Sequence, residues 1–256
     1  MILGVLITQF QFFLLIMMRM LGMMAIAPFF SSVFIPMKVK AMLALGITLI
    51  IYPLLSQEMP MEIPDNFIDY GILVMNELVV GLSIGLVISV IFTAFQLAGQ
   101  FFSIQMGFGI SEVFDPMSQI HVPLMGQFLS LFGTLIFLYI GGDLMLIEGI
   151  FESYYKVPVL DIVKSSGPLS ETIIRFFTDM FTIALKISLP IIGTLFIVTL
   201  CMGLLAKFAP QMNILMLGFP IYITVGFIIL ILIMPSILEN GITFLERHLT
   251  ILMQLF

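Results

Sequence analysis

Glu77, Gly81, Gly85, Ser89 and Thr93 recur every four residues through an uncharged run, so they share one side of a helix. A carboxylate heading a stripe of small and polar residues suits two kinds of chemistry. Glu77 could relay protons or ions, as carboxylates at membrane depth often do. Alternatively, the stripe lets a second helix approach closely, with Glu77 paired across the contact. No second carboxylate shares the face, which favours packing. Asp179 and Lys186 stand seven residues apart, two turns along one side of a later helix, and Arg19 lies between Met18 and Met20. Structural pairing, with neighbouring helices or with another subunit, is the expected role of all three. Grouped at mid-membrane, Glu77, Asp179 and Lys186 would instead suit a small secondary transporter. That fold is built from internal inverted repeats, and no convincing repeat is visible in the sequence.

Enzymatic chemistry has little to stand on. The chain lacks H-E-x-x-H, G-x-S-x-G, a Gly-rich phosphate loop and any Cys–His pair at ligand spacing. Its two histidines, His121 and His248, are too few to build a metal site from histidine alone. The single cysteine, Cys201, excludes a disulfide framework and reads as a small packed side chain. No catalytic residue, metal or cofactor is expected.

These residues must be positioned by apolar helices. Of 256 residues, 61% are hydrophobic and 9% charged, against about 25% charged in a soluble domain, so water cannot solvate the chain as a monomer. A net charge of −6 without basic clusters excludes nucleic acid as a partner. Uncharged runs cover Met1–Met18, Leu78–Ser111, Pro116–Gly142, Ile187–Ala206 and Phe208–Leu238, each near or above membrane-spanning length. The pattern predicts an all-α protein with about six long helices, near 2–30, 37–55, 69–102, 124–141, 172–206 and 212–238. Pro28, Pro190, Pro220 and Pro235 predict breaks that neighbouring protein, not lipid, must satisfy. Ala25-Ile26-Ala27 has the form of a signal-peptide cleavage site, but no Lys or Arg precedes the apolar run and Pro28 follows it, so the first segment is expected to stay. Lys38, Lys40 and Lys207 fall on one side of the membrane, and Lys156, Lys164, Arg175 and Arg247 on the other. That balance sets no orientation and is strange for a protein inserted alone. The 21 methionines fill apolar helices, and as deformable side chains they also suit a seal around varied cargo.

One stretch fits neither water nor lipid. SIQMGFGISEVFDPMSQIHVPLMGQF, Ser103 to Phe128, holds three glycines, two prolines and two carboxylates together with many apolar side chains. It is too interrupted for a membrane helix and too greasy for a solvated loop. On these residues alone it reads as an apolar re-entrant or interfacial loop with a packing role.

Four segments in order carry a resemblance. RMLGMMAIAPFFSSVFIPMKVKAMLALGITLIIYP, ELVVGLSIGLV, QLAGQFFSIQMGFGISEVFDP and LPIIGTLFIVTLCMGLLAKFAPQMNILMLGFPIYITVG resemble the FliR/SctT family of the type III secretion export gate. Pro210, Gln211, Asn213 and Pro220 stand in matching places of the last segment. The resemblance spans nearly the whole chain. It implies a non-enzymatic subunit that helps form and seal the channel through which unfolded flagellar proteins are secreted. It also implies FliP-like and FliQ-like membrane subunits as partners in a helical hetero-oligomer, with an FlhB-like subunit outside. Residues 1–180 would be the FliP-like part, including the loop 103–122, and 181–256 the FliQ-like hairpin.

The site residues implied by the resemblance fall into two groups. Gln105, Met106, Gly107, Phe108, Gly109, Ile110, Phe114, Asp115 and Pro116 would plug the closed channel. Arg19, Glu77, Gly81, Gly85, Lys186, Pro210, Asn213 and Pro220 would pack helices and subunits. The implied location is the bacterial inner membrane, within the flagellar basal body and above the plane of the bilayer, where protein replaces lipid around the helices. The injectisome branch more often has Arg where Met106 stands in IQMGFG, so the flagellar branch is favoured.

Overall fold

A computed structural model describes residues 2–31, 35–58, 63–64, 66–108, 123–156 and 166–255. Among them the chain forms eight helical segments: α1 (Ile2–Ile26), α2 (Pro28–Ser31), α3 (Met37–Glu58), α4 (Phe67–Ser103), α5 (Leu124–Tyr139), α6 (Gly142–Lys156), α7 (Ser166–Phe208) and α8 (Ile214–Leu255). The described residues contain no strand, so the architecture is all-α. Five helices are long and apolar enough to cross a membrane, or six if α5 and α6 count together as one span.

Three features differ from the sequence expectation. Pro190, Pro220 and Pro235 all lie inside continuous helices. Of the expected breaks only the one at Pro28 is present: α1 ends at Ile26, and Pro28 opens α2 at the position where its missing N–H costs nothing. Helix α8 runs to Leu255 rather than ending near 238, because its charged end is amphipathic. Glu239, Glu246 and Arg247 are exposed while Gly241, Leu245, His248, Leu249 and Leu252 are buried. Helix α6 was not foreseen at all. It carries Asp143, Glu148, Glu152 and Lys156, so it reads as no apolar run, yet it buries Leu146, Gly149, Ile150, Ser153 and Tyr154 at helical spacing.

Local signals explain where several helices begin and end. Asn66 caps α4, its side-chain oxygen accepting from the N–H of Ile68 at 3.3 Å, and Asn213 caps α8 by accepting from Met216 at 3.2 Å. Between α7 and α8 the chain turns in a few residues, with Pro210 second in a turn closed by Met212 N–H to the Ala209 carbonyl at 3.1 Å. Lys207 sits in the last turn of α7, where a cation complements the helix dipole.

The chain divides into two compact units. One comprises Met1–Val90, Gly142–Arg175 and His248–Phe256. Its core is a stripe of α1 (Phe12, Leu15, Ile16, Met20, Met23 and Met24) at three- and four-residue spacing, packed on the matching stripe of α4. Tyr52 of α3 packs against Phe12 and Phe13, with ring centroids 6.0 and 5.8 Å away. Tyr70 of α4 donates to the Gln11 carbonyl at 3.1 Å.

The other unit comprises Ile91–Gly141 and Phe176–Arg247. There Phe92 meets Phe137 edge-on at 5.3 Å, and Phe95 meets Phe244 at 6.4 Å. Helices α7 and α8 run side by side as a hairpin whose buried stripe includes Ile183, Ile187, Ile191 and Leu195 on α7, and Leu230 and Ile237 on α8. Large apolar side chains cover much of the rest, including Phe196, Ile197, Ile231 and Leu232, all more than half exposed. Apolar surface of this extent is covered by lipid or by protein.

Candidate functional site

The first unit holds a fully buried charge cluster. Arg19 of α1 forms a two-pronged ion pair with Glu77 of α4. Nε donates to Oε2 at 2.6 Å and Nη2 to Oε1 at 2.9 Å. Its remaining terminal nitrogen, Nη1, donates to Ser153 Oγ at 2.7 Å, and Ser153 in turn donates to the Ile150 carbonyl at 2.6 Å. The Tyr154 ring covers the guanidinium, with Cζ 3.8 Å from the ring centroid, and the Tyr154 hydroxyl reaches the Ile16 carbonyl at 3.5 Å. Arg19 and Glu77 are 0% exposed. Among the described residues no buried side-chain polar atom lacks a partner. Arginine suits this place because its planar fork satisfies a carboxylate and a hydroxyl together while its face stacks on an aromatic ring.

The glycine stripe lets the cluster form. A Cβ on Gly81 would collide with the Arg19 carbonyl, one on Gly85 would lie 2.7 Å from the Met23 carbonyl, and one on Gly22 would lie 2.6 Å from the Leu78 carbonyl. The obstructing atoms are backbone, so no rotamer change relieves them. Small residues bring the two helix axes close enough for Arg19 to reach Glu77 without leaving helical geometry. Both carboxylate oxygens of Glu77 accept from Arg19, so the arrangement fixes the register of three helices.

Gly81→Leu is expected to destabilise the fold by at least about 3 kcal/mol, the upper end of overpacking effects. The check is recovery of monodisperse protein in mild detergent. Gly46→Ala is the control, since a Cβ there meets nothing within 4 Å. Equal recovery of both variants would mean that α1 and α4 do not meet at Gly81.

The second unit holds the root of the unusual loop. Helix α4 ends in a Schellman motif: Gly107 N–H bonds the Ile104 carbonyl at 3.1 Å and Phe108 N–H bonds the Ser103 carbonyl at 3.2 Å. Gly107 takes φ +92°, a backbone angle that glycine adopts without penalty. Met106 is completely buried, whereas Ile104 and Gln105 beside it are exposed. Phe108 meets Phe227 of α8 edge-on at 6.4 Å.

Of the plug-loop candidates, Gln105, Met106, Gly107 and Phe108 are therefore placed. Gly109, Ile110, Phe114, Asp115 and Pro116 lie outside the described residues, as does His121. Arg19, Glu77, Gly81 and Gly85 come together in the first unit. Pro210 and Asn213 shape the turn between α7 and α8, and Pro220 is exposed in the second turn of α8. Lys186 and Asp179 lie on α7 in the second unit. Lys186 is exposed at a cleft of about 60 Å³ lined also by Pro190, Ser236 and Asn240. No group of three or more potential metal ligands occurs among the described residues.

Sequence reading had not singled out Ser153, Tyr154, Phe219, Gly226 or Phe227. Ser153 and Tyr154 sit in a charged segment without apolar periodicity strong enough to mark a helix. Gly226 left only the faint signal of a lone glycine among large apolar residues.

Comparison with known proteins completes the picture. The family model for bacterial export proteins, family 1, matches residues 10–247. The flagellar biosynthetic protein FliR of Aquifex aeolicus (strain VF5) is 32% identical over 221 residues, covering 86% of this chain and 83% of that protein. FliR of Bacillus subtilis (strain 168) is 32% identical over 233 residues, 90% and 89% of the two chains, and FliR of Escherichia coli (strain K12) is 29% identical over 225 residues, 86% and 83%. The chain therefore belongs to family 1 of the bacterial export proteins, together with the flagellar biosynthetic proteins FliR.

Proposed function

We propose that this chain is a subunit of the flagellar type III export gate, helping to form and seal the channel through which unfolded flagellar proteins leave the cell. The observation that carries this reading is the colinear match from residue 10 to residue 247 with a family of export proteins whose similar members are flagellar biosynthetic proteins. Methionine at position 106 in IQMGFG agrees with the flagellar branch.

The gate reading makes sense of the chemistry. The buried charge cluster joins three helices and leaves neither Glu77 oxygen for a transported ion. The chain is a structural and gating component without turnover, and energy enters through other components. Its seat is the inner membrane within the flagellar basal body.

The partners are FliP-like and FliQ-like subunits and an FlhB-like subunit. The broad exposed apolar surface of α7 and α8 supports protein neighbours there, in keeping with a FliQ-like hairpin at 181–256 and a FliP-like part at 1–180. This division follows resemblance, whereas the two compact units follow packing, so their boundaries differ. The stretch Gln105–Pro116 acts as the plug. Its glycines let the backbone turn tightly, and Met106, Phe108, Ile110 and Phe114 supply apolar bulk against ions and water.

The test is native mass spectrometry of the tagged chain, extracted in mild detergent after co-expression with its genomic neighbours. A large complex with other small hydrophobic subunits is expected. A monomer or homodimer would overturn the gate reading.

A further inference from the structure

We propose that Phe219, Gly226 and Phe227 of α8 form a seat that anchors the root of the loop after α4, with Met106 as the inserted key. The closed gate then depends on position 226 having no side chain. This rests on the gate reading for its consequence, but not for its geometry.

Three consecutive residues contact the same part of α8. A Cβ placed on Gly226 would lie 2.6 Å from Met106 Cε, 2.8 Å from Cγ and 2.9 Å from Sδ, so the methionine occupies the volume that any side chain at 226 would take. A Cβ on Gly107 would lie 2.9 Å from a ring carbon of Phe219, which closes the turn against α8. Phe108 meets Phe227 edge-on, with the ring planes at 82°. Phe219 and Gly226 are seven residues apart, so they lie on one side of the helix with Phe227 beside them.

The insertion is selective. A turn at a helix end normally exposes its side chains, and here Ile104 is 72% exposed while Met106 is 0% exposed. Met106, just past the C-terminal end of α4, lies against Gly226, and the positive φ at Gly107 reverses the chain just after it and carries Phe108 onto Phe227. Unbranched methionine can thread the narrow slot that a residue without a side chain leaves on α8. The loop thus leaves the helix from a fixed point, and movement of its root requires Met106 to leave its slot. Phe219, Gly226 and Phe227 are positioning residues, acting through the loop root.

Two experiments test this on the full chain. In a Cys201→Ser background, Met106→Cys with Gly226→Cys is expected to form a disulfide under mild oxidation in detergent. The Cβ atoms would fall within the roughly 3.5–4.5 Å that a disulfide spans. Absence of this cross-link, in folded double-cysteine protein whose two thiols both label after denaturation, overturns the seat whether or not the protein is a gate.

The second experiment measures ion leak from liposomes holding the co-purified complex. Gly226→Leu expels Met106 and is expected to raise leak about tenfold or more, the equilibrium weight of one fully buried methionine. Gly226→Leu with Met106→Ala, which exchanges key and slot, is expected to return leak to within about twofold of the parent by restoring the lost burial. If deletion of the loop leaks but Gly226→Leu does not, the seat does not hold the gate closed and the proposal fails. If even the deletion does not leak, the channel reading fails instead, and the cross-link alone decides the geometry. Should Gly226→Leu fail to assemble, Gly226→Ala with the same compensating Met106→Ala gives the same comparison.

Discussion

Arg19→Met is expected to destabilise the protein by about 3–5 kcal/mol, because it strands the fully buried Glu77 carboxylate without its cation. The guanidinium supplies both hydrogen bonds to that carboxylate and one to Ser153, and its loss also uncovers the Tyr154 ring. For a chain of this size the cost corresponds to a fall of roughly 10 °C in midpoint temperature, provided unfolding is cooperative. The measurement is thermal denaturation followed by size-exclusion chromatography in mild detergent.

Arg19→Met combined with Glu77→Met is expected to recover most of that loss, since replacing a buried pair by apolar side chains of similar volume is often neutral or better. Arg19→Lys should fall between, because an ammonium cannot grip both carboxylate oxygens and Ser153 in the same plane. If the single variant is as stable as the double, Glu77 is not confined as the structure has it, and a proton-handling role returns to consideration.

Deleting Met106–Phe114 is the second large effect. The complex should still assemble, because the charge cluster and the glycine stripe lie elsewhere, but the closed gate should conduct ions. A rise in conductance of roughly tenfold or more is expected when a hydrophobic constriction is removed. Conductance is measured in liposomes, with complex integrity checked by native mass spectrometry on the same sample. An intact complex whose conductance matches the parent would count against a plug in this loop. The deletion removes both the anchored root at Met106–Phe108 and the residues beyond it. Comparison with Gly226→Leu therefore separates anchoring from bulk.

The helices of this protein were legible because membrane-length apolar runs need no partner to be recognised. Helix α4 followed from the uncharged run behind Glu77, and the break near Pro28 from proline chemistry. The misses share a cause. Helix α6 and the last turns of α8 are amphipathic, and their buried faces make sense only once other helices cover them. The prolines misled for the converse reason. Each removes one backbone donor, but a long helix bends around that loss without stopping, and Pro190 even leaves its own carbonyl as acceptor for Thr194 at 2.8 Å.

Composition and four-residue period are enough to establish an all-helical apolar chain and a helix built for close approach along Glu77, Gly81 and Gly85, and four motif segments in order carry the resemblance to an export family. Folding alone selects the partners. Arg19 meets Glu77 across 58 positions of sequence and Ser153 across 134, and Met106 finds the one glycine on α8 that leaves it room. The physical reason is that period specifies which side of a helix is small or apolar. The rotation and axial register of one helix against another arise from packing of the whole set, where a slot appears only when both walls are in place.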